Sequence, residues 1–294
     1  MLTPDPKYPE LRRRRFRPIP VRMLVPNVIT LLAICAGLTA IRLSIEGRME
    51  LAVAAIVFAA VLDGVDGRVA RMIKGQSKFG AELDSLADFV NFGVAPGLML
   101  YFWQLHELNN GGWIAAMVFA IAGGLRLARF NATIDDPNKP PFAANYFTGV
   151  PAPAGAILAM LPFYLAFLGV SKPPVMLTAA YTLLIGFLMV SRLPVFSGKT
   201  VRMRVPPEMV LPVFVSVVFF VALLIGYPWH ILSIGSVIYL GSLPWGWKSY
   251  RDHERNAAAA QPSAAADAAA PSAPASTFSP APDDAEDERP ARLN

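Results

Sequence analysis

Long apolar stretches alternate with short polar connections along most of this chain. Each stretch is about 20 residues long, the length that a helix needs to cross the hydrocarbon core of a bilayer. There are eight, at residues 24–45, 50–70, 81–105, 112–133, 148–169, 174–192, 208–227 and 229–246. The pattern predicts an all-α, polytopic membrane bundle of about eight helices. Whether the last two both span is left open, because only Tyr227-Pro228 separates them.

Composition agrees with a membrane protein. Hydrophobic residues make up 54% of the 294 residues and charged residues only 16%, whereas soluble domains average about 25% charged residues. We divide the chain into a basic N-terminal segment at 1–22, a membrane domain at 23–247 and an Ala/Pro-rich tail at 248–294. Such a tail cannot bury a core, so we predict that it is disordered.

Lysines and arginines are distributed unevenly over the connections. Twenty-one lie in the N-terminal segment, in the 2–3, 4–5 and 6–7 connections and at the start of the tail, whereas Arg42, Arg48 and Lys172 lie on the other side. By the positive-inside rule, this predicts a multi-pass protein of the inner, cytoplasmic membrane. Both termini and the 2–3 connection are then cytoplasmic.

Four aspartates interrupt the second and third apolar stretches. Asp63 and Asp66 share one helix face, and Asp84 and Asp88 share another. The connection between the two stretches is short, so the helices are antiparallel neighbours and both pairs lie near one membrane face. Ionised groups at this depth are costly unless they are paired, bound to metal or exposed to a water-filled cavity, and four carboxylates together repel one another without cations.

The ligand types and the neighbouring residues indicate the chemistry. Oxygen ligands without nearby His or Cys favour Mg²⁺, Mn²⁺ or Ca²⁺ over zinc, and paired divalent ions suit in-line displacement at phosphorus. Gly64, Gly67 and Gly80 leave room for a large ligand, and Arg71 can bind a phosphate. The alternative for the glycines is helix packing.

The segment from Asp63 to Asp88 reads D-x2-D-G-x2-A-R-x8-G-x3-D-x3-D. This resembles the signature of the CDP-alcohol phosphatidyltransferase family. Within the family, the phosphatidylserine synthases of bacteria and archaea are the most similar, by the stretches at 83–88, 92–96, 125–131 and 148–154. The resemblance runs from about Pro26 to about residue 240. It implies the CDP-alcohol phosphotransferase fold, with a six-helix catalytic core plus two helices.

The resemblance also implies an activity: transfer of the phosphatidyl group from CDP-diacylglycerol to the hydroxyl of L-serine, with release of CMP. It implies two divalent ions, Mg²⁺ or Mn²⁺, held by Asp63, Asp66, Asp84 and Asp88, with Asp88 also acting as the catalytic base. The implied partners are these two substrates, membrane lipid and a second copy of the chain in a homodimer. No nucleic acid is expected.

Further residues are candidates for substrate contacts. Those predicted to contact CDP-diacylglycerol are Asn27, Thr30, Gly67, Ala70, Arg71, Ser77 and Gly80. Those predicted to contact serine are Arg126, Arg129, Asn91 and Asn131. At least one of the two arginines would bind the serine carboxylate or a phosphate of CDP, although both could instead only obey the positive-inside rule or extend toward headgroups.

Three other functions remain to be weighed. The same chemistry could use glycerol 3-phosphate, inositol phosphate or choline; a phosphorylated acceptor would need more basic residues near the acids, and choline an aromatic cage. A cation transporter would place acids near the midplane on both sides of a repeat, which the sequence does not show. A non-catalytic lipid-binding scaffold would not need all four acids.

Overall fold

The computed structural model of the chain describes residues 21–73, 77–133, 146–196 and 207–268. These residues are almost entirely helical. In chain order the α-helices are α1 (Val21–Ile45), α2 (Met49–Met72), α3 (Lys78–Asp88), α4 (Ala95–Trp103), α5 (Asn110–Ala132), α6 (Ala152–Ala159), α7 (Leu161–Phe167), α8 (Val175–Val190), α9 (Pro207–Gly226) and α10 (Pro228–Ala268). A π-helical turn, Phe89–Val94, joins α3 to α4, and a 3-10 turn, Leu105–Leu108, precedes α5.

All eight apolar stretches lie on helices, so the all-α prediction is confirmed. By length and composition, four helical segments could each cross a membrane: Leu24–Ile45, Lys78–Trp103, Asn110–Ala132 and Met209–Gly226. Ala152–Phe167 and Val175–Val190 are shorter apolar segments. The apolar side chains of these six segments of the described chain indicate a membrane protein. The count of eight spans stays a prediction.

Helices α1 and α2 form an antiparallel hairpin that carries half of the acidic cluster. Gly47 ends α1 with φ +75°, a conformation that glycine adopts without strain, and the Arg48 N–H donates to the Leu43 carbonyl at 2.9 Å. The two helices then pack along their length. The hairpin therefore brings the start of α1 beside the end of α2.

The π-helical turn follows Asp88 directly and lies against α5. A methyl group added at Gly123 would come 3.1 Å from the Gly93 Cα, and one added at Gly93 would come 3.3 Å from the Ala120 carbonyl oxygen. Side chains at these positions would push the helices apart. The glycines thus let α5 approach the segment that carries Asp88.

The second half of the bundle packs large apolar side chains around α6, α7 and α8. Phe163 and Tyr164 of α7 are fully buried, as are Ile185 and Met189 of α8. The stretch predicted at 148–169 begins its helix directly after Pro151, as a proline at a helix start permits, but it is interrupted at Met160. Pro162 lies in the first turn of α7 and cannot donate to the preceding helix, which explains the break.

A two-stranded ribbon joins the two ends of the segment that contains α6, α7 and α8. β1 (Tyr146–Thr148) pairs antiparallel with β2 (Pro194–Phe196), with Phe147 opposite Val195. Directly after β1, the Gly149 N–H donates to the Leu193 carbonyl at 2.8 Å. The ribbon was not predicted, since neither strand exceeds three residues.

The chain divides into two units, Met1–Tyr250 and Arg251–Asn294. In the second unit the described residues, up to Ala268, are helical and belong to α10. The basic N-terminal segment lies outside the described residues up to residue 20, as do residues 269–294 of the tail. The predicted domain boundaries and the disorder of the tail stay predictions.

Gly149 offers a test of the packing between the ribbon and α8. It has φ +78°, and an added Cβ would lie 2.5 Å from the Met189 carbonyl oxygen. Gly169 has nearly the same φ, +83°, with no atom within 4 Å of an added Cβ. We expect Gly149→Ala to lower the free energy of unfolding by about 2 kcal/mol more than Gly169→Ala, because only the first forces backbone apart. Equal thermal unfolding of the two purified variants would contradict this.

Candidate active site

Three of the four predicted acidic residues meet at one point between α2 and α3. One carboxylate oxygen from each of Asp63, Asp66 and Asp84 lies within 4.8 Å of the other two. The carboxyl group of Asp88, one turn after Asp84, lies beside that of Asp63, close enough for the two to interact. The convergence predicted from the spacing of the acids is therefore present, with Asp63 between the trio and Asp88.

The surroundings of these carboxylates fit a bound cation. Asp66 is only 3% exposed, and Oδ1 of Asp66 and Oδ1 of Asp88 are buried without a hydrogen-bond partner among the described residues. Within the same residues, no lysine or arginine nitrogen comes within 4.0 Å of the four carboxylates. Buried acceptors without donors are costly, and an all-oxygen ligand set is the one that Mg²⁺ or Mn²⁺ prefers.

Helix α1 supplies a hydrogen bond that orients one of the carboxylates. Buried Thr30 donates its hydroxyl to Oδ2 of Asp66 at 2.6 Å and also lies 3.1 Å from the Pro26 carbonyl oxygen. Because Oδ2 of Asp66 is held by Thr30, its free Oδ1 remains as a candidate metal ligand. The sequence had suggested Thr30 only as a CDP contact.

A cavity of about 370 Å³ opens beside the acidic trio. All seven residues predicted to contact CDP-diacylglycerol line it, together with Asp66 and Asp84. The structure also adds Pro26 and Ala81 to the lining, which the family signature does not include. One cavity therefore combines the acids with the full set of predicted nucleotide contacts.

The glycines of the signature differ in what surrounds them. An added Cβ would meet no atom within 4 Å at Gly64, and at Gly67 only the Arg71 side chain of its own helix, at 3.8 Å. A Cβ added at Gly80 would lie 2.9 Å from Asn27 Oδ1 of α1 and 3.1 Å from Ser77 Oγ. Helix packing therefore accounts for Gly80, whereas the described neighbours leave space at Gly64 and Gly67.

The start of α3 is fixed by a side-chain cap. The Ser77 Oγ accepts a hydrogen bond from the Gly80 backbone N–H at 3.0 Å, which satisfies one free donor of the first turn. The remaining free N–H groups of that turn favour an anion nearby. Ser77 and Gly80 thus give this edge of the cavity a helix start suited to a phosphate.

The four residues predicted to contact serine do not form a single cluster. Arg126 lies close enough to Asp88 for the two charges to interact. Arg129 instead donates to the Val190 backbone carbonyl at the end of α8, and exposed Asn131 donates to Ser85 Oγ at 2.9 Å. Arg129 and Asn131 therefore already make contacts that tie α5 to its neighbours.

Asn91 and Arg126 have side chains without a hydrogen-bond partner among the described residues. Asn91, in the π-helical turn, is 1% exposed and neither side-chain polar atom has a hydrogen-bond partner among the described residues. Its amide packs against Gly37 of α1, where a methyl group would overlap Oδ1. The half-buried guanidinium of Arg126 makes no hydrogen bond or ion pair with a described residue and lies 5.5 Å from the centroid of the Phe130 ring.

Tyr239 of α10 is not among the site residues predicted from the sequence. Its hydroxyl is buried without a partner in the described part of the chain, and it is near enough to Arg126 for an electrostatic interaction. A sequence signal did exist: Ser233, Ser236 and Tyr239 recur every three residues in an apolar helix, so they share one face.

Comparison with known proteins gives the following matches. Residues 23–191 match the family model described as CDP-alcohol phosphatidyltransferase, and residues 208–244 match CDP-alcohol phosphatidyltransferase 2. A Mycobacterium bovis protein named CDP-diacylglycerol–serine O-phosphatidyltransferase is 51% identical over 134 residues, 46% of each chain. A Helicobacter pylori protein of the same name is 40% identical over 49% of this chain and 59% of its own length. A Bacillus subtilis protein of the same name is 38% identical over 47% of this chain and 75% of its own length. The aligned region spans about half the length of the mycobacterial relatives.

The Thr30 hydroxyl should contribute to metal affinity. We expect Thr30→Val to weaken Mn²⁺ binding by about tenfold, because a ligand that loses its orienting hydrogen bond binds metal less well. Titration of the purified protein, followed by the electron paramagnetic resonance signal of free Mn²⁺, measures this. The matched control is Thr39→Val on the same helix, whose exposed hydroxyl donates to the Cys35 carbonyl of α1 itself. Wild-type affinity in Thr30→Val would contradict the assignment.

Proposed function

The chain belongs to the CDP-alcohol phosphatidyltransferase family, and we propose that it transfers the phosphatidyl group of CDP-diacylglycerol to the hydroxyl of L-serine. The products are phosphatidylserine and CMP. The observation that carries the proposal is the position of the Asp63, Asp66 and Asp84 cluster on a cavity lined by every predicted nucleotide contact. The name shared by the similar mycobacterial, Helicobacter and Bacillus proteins supports serine as the acceptor.

Two divalent ions, Mg²⁺ or Mn²⁺, belong to this proposal. Asp63, Asp66, Asp84 and Asp88 would hold them, and the ions would polarise the diphosphate and neutralise the charge that leaves with CMP. Thr30 orients Asp66 through its hydroxyl. Arg71, on the cavity wall, offers a planar set of donors to a phosphate oxygen.

The transfer itself is a displacement at the phosphorus that carries diacylglycerol. The serine hydroxyl oxygen forms the new P–O bond, and the bond to the CMP oxygen breaks with its electron pair leaving on CMP. Asp88 takes the proton of the serine hydroxyl. Its position beside Asp63, with Oδ1 free of described partners, suits a carboxylate that contacts both the metal and the acceptor.

Arg126 is our candidate for recognition of serine. The acceptor carries a carboxylate, and Arg126 has an unpaired guanidinium on the side of Asp88. A carboxylate can accept two parallel N–H bonds from a guanidinium. Asn91, one turn after Asp88 and without a described partner, is a further candidate for the polar end of serine, whereas Arg129 and Asn131 are already bonded to protein atoms.

We also propose a location for the protein. The positive-inside distribution supports a position of the 2–3 connection, and hence of the acids, on the cytoplasmic side of the cytoplasmic membrane. The cavity then opens where CDP-diacylglycerol and soluble serine can both reach it, with the acyl chains remaining in lipid. Membership of the family further leads us to propose a homodimer.

An acceptor assay tests the proposed function. Purified protein with CDP-diacylglycerol and Mn²⁺ or Mg²⁺ should convert labelled serine to phosphatidylserine with equimolar CMP. Glycerol 3-phosphate, inositol phosphate and choline are supplied in parallel reactions. Rapid product formation from one of these, with none from serine, would refute the acceptor, and CMP release unaffected by exhaustive chelation would refute the metal-dependent chemistry.

The Asp88→Asn variant distinguishes a role of Asp88 in proton transfer from a role in substrate binding. We expect the variant to lose at least about 100-fold in kcat, the usual range for removal of a general base, while CDP-diacylglycerol binding falls far less. Equilibrium binding of the labelled liponucleotide, measured beside turnover, gives both quantities. Asp84→Asn is the comparison, since a residue that acts only as a metal ligand should lose binding and turnover together. Parallel losses in Asp88→Asn would make Asp88 a metal ligand alone.

A further inference from the structure

The last described helix, α10, carries polar side chains on one face. Ser233, Ser236 and Tyr239 of α10 share that face, and Ser233 and Ser236 are buried. The Ser236 hydroxyl donates to the Leu232 carbonyl of its own helix at 2.7 Å. The Tyr239 hydroxyl, although buried, finds no hydrogen-bond partner among the described residues.

An unpartnered phenol in this position needs an explanation. A buried hydroxyl without a partner costs about 1–3 kcal/mol, and phenylalanine would pack equally well against the core that the Tyr239 ring contacts. Two other buried tyrosine hydroxyls are satisfied, because Tyr164 donates to the Ile157 carbonyl at 3.0 Å and Tyr181 to the Leu158 carbonyl at 2.8 Å. Tyr239 therefore differs from them in having a free hydroxyl.

Arg126 lies in the neighbourhood of this hydroxyl, although the two groups are not hydrogen-bonded to each other. The two side chains are close enough to interact electrostatically, and Arg126 interacts in the same way with Asp88. On another side the guanidinium has the Phe130 ring, 5.5 Å from its central carbon. Arg126 thus lies among an aromatic ring of its own helix, the predicted base and a phenol from α10.

We propose that Tyr239 is a positioning residue for the acceptor, whose hydroxyl accepts an N–H of Arg126 and turns the guanidinium toward Asp88 when serine binds. This rests on the proposed function. Arg126 has five N–H donors and no hydrogen-bond partner among the described residues, so one donor can bond the phenol while a parallel pair remains for the serine carboxylate. Helix α10, which carries Tyr239 in the second matched segment at 208–244, thereby contributes to substrate recognition.

Tyr239→Phe tests the proposal, because it removes one oxygen atom and keeps the packed ring. We expect KM for serine to rise about fivefold or more, the usual loss for a hydrogen bond to a charged group, with kcat and KM for CDP-diacylglycerol changed less than twofold. Steady-state kinetics with each substrate varied in turn measure this. A merely structural role would instead lower thermal stability and alter both KM values together, and that result would overturn the proposal.

Two further variants make the outcome specific to Arg126. Ser236→Ala, the matched control, removes a buried hydroxyl from the same face whose bond stays within its helix, and should leave KM for serine unchanged. In an Arg126→Lys background, whose point charge lacks the planar donor set, Tyr239→Phe should change KM for serine by less than twofold. A full additive effect there, or an unchanged KM in Tyr239→Phe alone, would overturn the proposal. Wild-type protein that makes no phosphatidylserine would instead show that the proposed function has failed.

Discussion

Four carboxylates gathered inside an apolar bundle are the constraint on which the rest of this structure depends. Charges at such a position are costly unless a cation or a donor compensates them. Only Asp66 receives a described side-chain hydroxyl, from Thr30, and the described lysines and arginines stay more than 4.0 Å away. We propose that bound divalent ions supply this compensation, because an all-oxygen ligand set is the one that Mg²⁺ or Mn²⁺ prefers. On that proposal, both the chemistry and the stability of this region are linked to metal binding.

The second requirement is that helices approach closely without filling the site. On the nucleotide side, open space at Gly64 and Gly67 leaves the face of α2 accessible. On the acceptor side, Gly93 of the π-helical turn meets Gly123 of α5 almost backbone to backbone. That contact comes one turn before Arg126, so the missing side chains at Gly93 and Gly123 are what let α5 bring its arginine beside Asp88.

The sequence predicted the parts of the site that depend on helical spacing. Asp63, Asp66 and Asp84 converge because i to i+3 and i to i+4 neighbours share a face on two antiparallel helices. The predicted nucleotide contacts line one cavity beside them, and their contact with a nucleotide stays a prediction. Spacing could not foresee the π-helical turn after Asp88, which changes the direction of every later side chain on that segment. Nor could the spacing show which of Arg126 and Arg129 is hydrogen-bonded to the protein, because both lie on the same helix face. Arg129 is the bonded one, because the end of α8 presents the Val190 carbonyl to it.

That separation bears on the choice of acceptor. Since Arg129 is bonded to the Val190 carbonyl, Arg126 is the described cation that interacts with Asp88. One guanidinium matches the single negative charge of a carboxylate, whereas a phosphorylated alcohol would bring about two charges at neutral pH and would need a further basic group. Choline would bring a cation to a position already occupied by one, and like charges repel. Among the alcohols considered, the electrostatics of the described residues therefore favour a zwitterionic acceptor such as serine, and Arg126 is the residue that we propose to recognise its carboxylate.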